Sequence, residues 1–585
     1  NFRPVERYRN VEFERDWNLG SATIINDEHI AGFQTSLIKP RLGNLTYQLK
    51  SYQKGNAYKG WMNAASTRVQ LKKYALSGAV SYLSTKGTVT ETRYIRHNAE
   101  LSRPVWKLTV GTRENSELNK FYSLLSDSLR SNSFSYQELE GFIATRDSSK
   151  SKALLSYKQR YDFVPQITRF RKATKAEEIN LTTEFSGNPN HTLRTTTTYR
   201  VLTVLDTLLT TSEPAKTLLN RIDHGLSLWK GLLTANSYYE VGTGQERKQE
   251  YYYLEVPAGQ GVYAYLGDLN ANGVKDLDEF AVASFSDQAK YIRVFVPTNN
   301  YITTRSNQFA EVLTLQPSAL GSASSAGKTP FLYRWSNQLS LRLDKKTKDE
   351  SLLSSLNPFN RTISDSSLVS TNSSIRNTVY FNRSSPHFGA DATWQENRNK
   401  TFLTSGFESR SITSTGFNIR WNITADFLFN LGLEKSVKKN NSDFFSTRNY
   451  KILSDQLEPK LSYQPGNSFR ITASYKYMNK KNREGIIGEN ATSHKFGLDM
   501  KYNTVNTGSL SAKISVVEVR YNAPDDSYLS YELLEGLKNG KNYTWNLSMQ
   551  RNVSNTIQLS LNYDGRKLQS AKTIHTGGVQ VRAFF

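Results

Sequence analysis

Apolar and polar residues alternate along much of this chain with a period of two. In "FRITASYKY", Phe469, Ile471, Ala473, Tyr475 and Tyr477 share one face of an extended strand, while Arg470, Thr472, Ser474 and Lys476 share the other. "TIQLSLNYDG" repeats the pattern, with Ile557, Leu559, Leu561 and Tyr563 opposed to Gln558, Ser560, Asn562 and Asp564. From Phe417 to Leu433 every odd position is apolar, which predicts two strands and a turn. "YTWNLSMQ", "FGLDMKY" and "NLTYQLKS" behave alike. Each predicted strand therefore has one oily and one wet face.

A soluble β-sandwich would produce the same alternation, because one face packs on a core. Three features favour lipid as the covering medium. The strands run to about 10–15 residues, against about five or six in soluble sheets. Their apolar faces end in Tyr, Trp or Phe, as interfacial girdles do. Short turns such as "QPGNS", "NVSN" and "VNTGS" alternate with long Ser/Asn/Lys-rich loops such as "KKTKDESLLSSLNPFNRTISDSSLVSTNSS". That asymmetry matches short periplasmic turns and longer outer loops. The expected fold class is all-β: a transmembrane antiparallel outer-membrane β-barrel carrying a small β insertion. At roughly 20–24 residues per strand and turn, the length predicts about 22–26 strands. A barrel of that girth cannot fill its interior from the wall alone, so it holds water or a plug.

Composition agrees with this picture. Hydrophobic residues are 37% and mean hydropathy is −0.57, yet the chain holds 33 Tyr, 28 Phe and 8 Trp, too many for disorder. No run of roughly 18 apolar residues exists, which excludes a helical span. Cysteine is absent, so neither disulfides nor thiolate chemistry are available. The chain starts at Asn1 with neither a start Met nor an apolar signal core. This predicts a mature or truncated product, with residues 1–30 leading in from a preceding domain. The expected organisation continues with residues 31–255 as the first part of the barrel, 256–306 as an insertion, and 307–585 as the second part.

The insertion carries the one chemical motif. In "YLGDLNANGVKDLDEF", Asp268, Asn270, Asn272, Gly273, Val274, Asp276 and Glu279 fall at positions 1, 3, 5, 6, 7, 9 and 12 of an EF-hand calcium loop. Calcium takes six to eight hard oxygens. Asp268, Asn270 and Asn272 offer side-chain oxygens, Val274 a carbonyl, Asp276 a direct or water-mediated ligand, and Glu279 both carboxylate oxygens. Gly273 permits the sharp turn. The flanks "GVYAY" and "VASFSDQAKYIRVFVPT" predict strands rather than helices, and the loop looks more like calcium loops of β-domains in bacterial surface proteins. Two Asn ligands lower its negative charge, so a weak, structural Ca²⁺ site suited to extracellular calcium is expected. Counting turns back from the terminus favours an external insertion.

The net charge of +23 and pI of about 9.6 would suit nucleic acid, but Lys and Arg are dispersed through loops and inward positions such as Arg420, Arg470, Lys476 and Lys501. No nucleic-acid partner is expected; cationic loops can instead pair with outer-membrane lipid and anionic lipopolysaccharide, and a basic lumen would favour anionic cargo. The seven histidines, His29, His97, His191, His224, His387, His494 and His575, show neither metal-pair spacing nor a nucleophile-elbow context.

"GGVQVRAFF" resembles the last strand of bacterial outer-membrane barrels, whose terminal aromatic residue is read by the barrel-assembly machinery; here that residue would be Phe585. "FERDWNL", "DQAKYIRVFVPTNNYI" and "YDGRK...IHTGGVQVRAFF" resemble a group of large outer-membrane proteins of Bacteroidota, in which such a chain forms the C-terminal barrel half of a longer polypeptide. The resemblance implies no catalytic activity, and nothing matches the plug domain of TonB-dependent transporters. The expected function is a non-enzymatic pore or translocation scaffold working with lipoproteins or a periplasmic partner. Two alternatives are a calcium-stabilised surface-binding protein and a barrel hydrolase, the latter requiring an inward nucleophile and base within hydrogen-bond reach.

Overall fold

The computed structural model describes residues 11–19, 27–124, 128–146, 149–210, 214–269, 271–321, 330–348, 357–359, 368–403, 406–443, 448–484, 488–504, 507–524, 527–554 and 556–583. The described residues form 27 β-strands, all but two of them ten residues or longer. No helix among them is long and apolar enough to cross a membrane. It divides into two compact units, Asn1–His224 and Gly225–Phe585.

In the first unit a short helix, α1 (Val11–Asp16), precedes β1 (Glu28–Lys39), β2 (Gly43–Lys54), β3 (Tyr58–Leu71), β4 (Tyr74–Gly87), β5 (Thr90–Val105), β6 (Leu108–Ser123), β7 (Phe134–Thr145), β8 (Ser151–Gln166), β9 (Arg169–Asn188) and β10 (His191–Val204). Each strand pairs antiparallel with the next. The meander follows from tight links. Leu71 pairs Tyr74, Val105 pairs Leu108 and Gln166 pairs Arg169, with Lys72, Trp106 and Ile167 at φ of 53°, 53° and 54°. Two-residue hairpins require this left-handed backbone to match strand twist.

The chain then runs through β11 (Ala215–Leu228) into the second unit. That unit holds β12 (Leu233–Glu255), β13 (Tyr263–Tyr265), β14 (Phe280–Val282), β15 (Tyr291–Leu315), β16 (Trp335–Lys348), β17 (Leu368–Phe381), β18 (Phe388–Leu403), β19 (Gly406–Asn422) and β20 (Phe427–Ser442). It continues with β21 (Tyr450–Tyr463), β22 (Phe469–Asn482), β23 (Asn490–Thr504), β24 (Gly508–Tyr521), helix α2 (Tyr528–Leu534), β25 (Gly540–Asn552), β26 (Ile557–Lys567) and β27 (Ile574–Ala583). β12 pairs β15, and from β15 onward every strand again pairs with its successor. Residues 291–306, which sequence assigned to the insertion, continue strand β15: it pairs with β12 over Tyr291–Pro297 and Tyr301–Leu315 and with β16 only from Thr304 onward, which leaves 256–290 as the part between the two long strands.

The alternation has its expected consequence. Trp421, Phe496, Ile514 and Val579 project from one face at 50%, 60%, 58% and 66% exposure. A soluble protein does not leave such a contiguous face uncovered; hydrocarbon covers it here. From Phe469 to Tyr477 this apolar face spans roughly 27 Å at about 3.4 Å per residue, close to the ~25 Å lipid band of outer-membrane strands. Aromatic residues mark its turn end: Trp421, Phe427, Tyr463, Phe469 and Tyr502. The strands continue past the band at the other end, where the outward positions become Lys435, Lys439, Asp455, Lys481 and Glu518. β27 ends at the turn end, Ala583 opposite Ile557. Phe584 and the expected terminal aromatic Phe585 lie outside the described residues.

Candidate functional site

The inner face of the second unit is polar along most of its height: Ser414, Ser462 and Ser515 are buried there with Asn542. At the loop end it turns oily. Tyr450, Ile452, Ala491, Val517 and Val519 form a buried patch, and α2 covers it with Tyr528, Leu533 and Leu534. The helix is locally encoded. Ser527 and Ser530 exchange backbone-to-hydroxyl bonds of 3.0 and 2.9 Å at its start. Glu535 (φ 56°) and Gly536 (φ 73°) end it in the left-handed conformation, with Gly536 N donating to Tyr531 O. Its acids meet cations of the wall: Lys438 Nζ lies 2.5 Å from Glu532 and Lys480 Nζ 2.9 Å from Glu535. Burial disfavours the charged Glu535 carboxylate, but Lys480 more than offsets this and holds it below its ordinary value.

The insertion packs on the same end. β13 and β14 form a miniature hairpin whose Phe280 stacks on Tyr253 of β12 at 4.1 Å between ring centres. Tyr531 Oη of α2 donates to Gln288 and accepts from Ser284 N, both at 2.9 Å. Asp287 reaches Arg566 of β26 at 2.7 Å. Buried Arg448 donates to the carbonyls of Leu277 and Phe280 at 3.4 Å and lies over the Tyr528 ring. Burial works against its charge, but its interactions with Tyr528, Tyr253 and Glu408 more than offset this and hold the guanidinium above its ordinary value. Insertion, α2 and wall thus form one cap, joined by oily contact and by charge.

Within the cap, the described residues of the expected calcium loop form a hydrogen-bonded turn. Asp268 accepts from Asn272 N (3.1 Å) and Gly273 N (2.7 Å), with Gly273 at φ 77° as its position in the motif requires. Asn272 Oδ1 accepts from Val274 N at 2.7 Å, and its amide donates to Asp276 at 2.6 Å. Asp268, Asn272 and Asp276 therefore share one side of the turn. Glu279 is buried, its two oxygens accepting from Leu269 N (2.8 Å) and Asp276 N (3.0 Å). Val274 is exposed. Asn270 lies outside the described residues. Among the described residues no three carboxylate or imidazole groups converge as a metal cage. The donor set is all hard oxygen, as calcium needs, and Glu279 would exchange its two amide bonds for the ion.

The first unit has its own inner-face dock, which the sequence reading passed over although it lies in "FERDWNL". Trp17 is buried against Tyr52, Met62, Leu83 and Tyr94. Arg15 reaches Glu117 at 3.0 Å, Asp16 reaches Arg96 at 2.6 Å, and Asn18 bonds Asn119 and Thr92. Of the histidines, His97 contacts Glu114 at 2.8 Å, and His191 lies edge-on to His224 at 5.0 Å. Spacing along the chain could not reveal that second pair, 33 residues apart and brought together by the fold.

No family model matches the chain, and no curated protein matches it. Among solved structures, the copper transporter OprC aligns with TM-score 0.32 at 10% identity, over 95% of this chain and 79% of that one. BauA, the ferric preacinetobactin receptor from Acinetobacter baumannii, gives 0.32 at 10% over 94% and 80%. OmpT, an outer membrane protein of Vibrio cholerae, gives 0.22 at 9% over 64% and 88%. Likenesses this remote carry no argument of their own. The class rests on the sheet: long antiparallel strands, an oily face girdled by aromatics and a polar reverse face define a membrane protein of the bacterial outer-membrane β-barrel kind.

Proposed function

We propose that the chain is a non-enzymatic outer-membrane barrel acting as a pore or translocation scaffold, narrowed at its loop end by the cap. The supporting observation is the change in the inner wall of the second unit: among the described residues it is polar along most of its height and turns oily beneath α2. A polar wall suits water and hydrophilic cargo, and the local oily patch keeps a stopper in place. Expected partners are the surrounding lipid and lipopolysaccharide, the barrel-assembly machinery through the C-terminal strand, and a lipoprotein or periplasmic protein. In this reading Ca²⁺, held by Asp268, Asn270, Asn272, Val274, Asp276 and Glu279, stiffens the cap and does no chemistry. Planar-bilayer recording tests the pore: deletion of 527–537 should raise single-channel conductance severalfold. Silence of both the intact and the deleted protein would defeat the reading.

A second reading, surface recognition by the insertion, is favoured by its position at the end of the sheet opposite the chain terminus and by exposed Val262, Leu269 and Val274. Replacing 256–290 by a short turn should then abolish binding to cells while leaving membrane insertion intact.

A further inference from the structure

On the outward face of the second unit, immediately beyond the oily band, cations gather. β20 carries Lys435 and Lys439 on the same face as lipid-facing Phe429 and Leu433. The ladder sets Lys439 directly opposite Lys451 of β21. Lys481 of β22 pairs with Leu453, two residues from Lys451 on the same face, and exposed Arg483 continues the ladder by donating its amide to Lys451 O at 2.8 Å. Like charges directly opposite one another destabilise a sheet. The nearby acids give little relief. Asp455 stands opposite Lys435, Asp443 accepts from Phe407 N at 2.9 Å, and Glu489 accepts from Asn482 at 3.0 Å. None of Lys435, Lys439, Lys451, Lys481 and Arg483 is held in an ion pair among the described residues. The turn end of β20 to β23 is the reverse: its outward positions are Phe427, Tyr463, Phe469 and Tyr502, without a cation.

We propose that Lys439, Lys451, Lys481 and Arg483 form a binding site for the phosphorylated headgroup of a membrane lipid, a bisphosphorylated glycolipid such as lipid A. The inference rests on the membrane reading above and gives the expected lipopolysaccharide contact a specific place. Height along the strand bears on the source of the phosphate: Lys481 stands two outward positions beyond Tyr477 at the top of the oily band, and Lys439, Lys451 and Arg483 stand one further, on the headgroup side of the hydrocarbon, so the acyl chains lie against Phe429, Leu433, Leu461 and Tyr475. The anion cancels the Lys439–Lys451 repulsion, and the charge asymmetry between the two ends places this end in the phosphate-rich leaflet.

The test uses the full chain in nanodiscs containing trace lipid A, with retained lipid measured by mass spectrometry. Each cation near an anionic surface is worth about fivefold, so the triple variant K439Q/K451Q/K481Q should retain about a hundredfold less bisphosphorylated lipid A. K439Q alone should lose about fivefold, and K501Q/K513Q, on the inner face, nothing. Lipid A stripped of both phosphates should be retained no better by the wild type than by the triple variant. Equal retention by wild type and triple variant overturns the proposal, as does displacement of the lipid by millimolar inorganic phosphate, which would assign the site to free anions. Failure of the wild type to enter nanodiscs would instead overturn the membrane reading on which the proposal rests.

Discussion

Two short helices sit on inner sheet faces of this protein, and they are held by different physics. In the first unit α1 and the residues after it bury one large aromatic, Trp17, and surround it with charges of both signs: Arg15 to Glu117 and Asp16 to Arg96. In the second unit α2 buries several aliphatic and aromatic groups over a patch continuous with the wall, and the wall offers its acids only cations, Lys438 and Lys480. The first dock has one fully buried anchor, flanked by half-buried Phe13 and Leu19, with self-balanced charge. The second spreads its oily contact and is charge-polarised, so it should respond to conditions that leave the first unmoved.

The most severe break is expected at the single anchor. Trp17→Ala removes the one fully buried apolar side chain of its segment, leaving half-buried Phe13 and Leu19 on the same cluster, and should cost about 3–5 kcal/mol of docking. Hydrogen exchange of residues 11–19 should approach that of an unstructured peptide, with exchange along β12 to β27 unchanged. Retained protection would mean the ion pairs hold the segment. Leu533→Ala deletes one of several contacts and should cost about 2–4 kcal/mol. Exchange should rise across 527–537 and spread to 280–291 through the Tyr531–Gln288 bond. Exchange confined to α2 would separate the helix from the insertion and dissolve the cap as one body.

These two docks were unequally legible in the sequence. The walls could be read directly, since Phe469 to Tyr477 and Ile557 to Tyr563 alternate without a break and lipid leaves the pattern undisturbed by core packing. Turns such as Lys72, Trp106 and Ile167 could not, because nothing in a non-glycine side chain announces the left-handed backbone they adopt. α2 was signalled by Ser527 at its start, Gly536 after its end and apolar Tyr528, Leu533 and Leu534 between, but a seven-residue helix in a Ser/Asn-rich loop offers too few turns for periodicity to show. The Lys439–Lys451 opposition depends on register, a long-range property that composition averages away. The calcium motif was read from spacing, and the structure adds that Glu279 is already bonded to two amides, so an ion must compete for it.

The proposed calcium site sharpens the comparison because it belongs to the second dock alone. At about ten times its dissociation constant an ion bound only to the folded loop adds about 1.4 kcal/mol. Millimolar Ca²⁺ should therefore slow proteolysis at 268–279 about tenfold and leave cleavage at 11–19 unaffected. Asp268→Asn with Glu279→Gln should remove the difference. Protection that persists in the double variant would move calcium elsewhere on the molecule.

The smallest expected effect distinguishes the two charge patterns most directly. Glu535 titrates below its ordinary value because Lys480 favours the carboxylate. A depressed acid contributes stability above its unfolded value of about 4.3, and the contribution is lost as pH falls through the lower, folded value. Since the Glu535 side chain is 51% exposed, solvent screens the pair and the loss should stay under about 1 kcal/mol. Acidification from pH 6 to pH 3 should raise local opening of 527–537 by less than about fivefold, and high salt should mimic it, because both remove the same attraction. Glu535→Gln should flatten the acid response while Leu533→Ala keeps it. If opening of α2 proves independent of pH in the wild type and in Leu533→Ala alike, its acids are bystanders, and the contrast between a balanced dock and a polarised one reduces to a difference in buried apolar area.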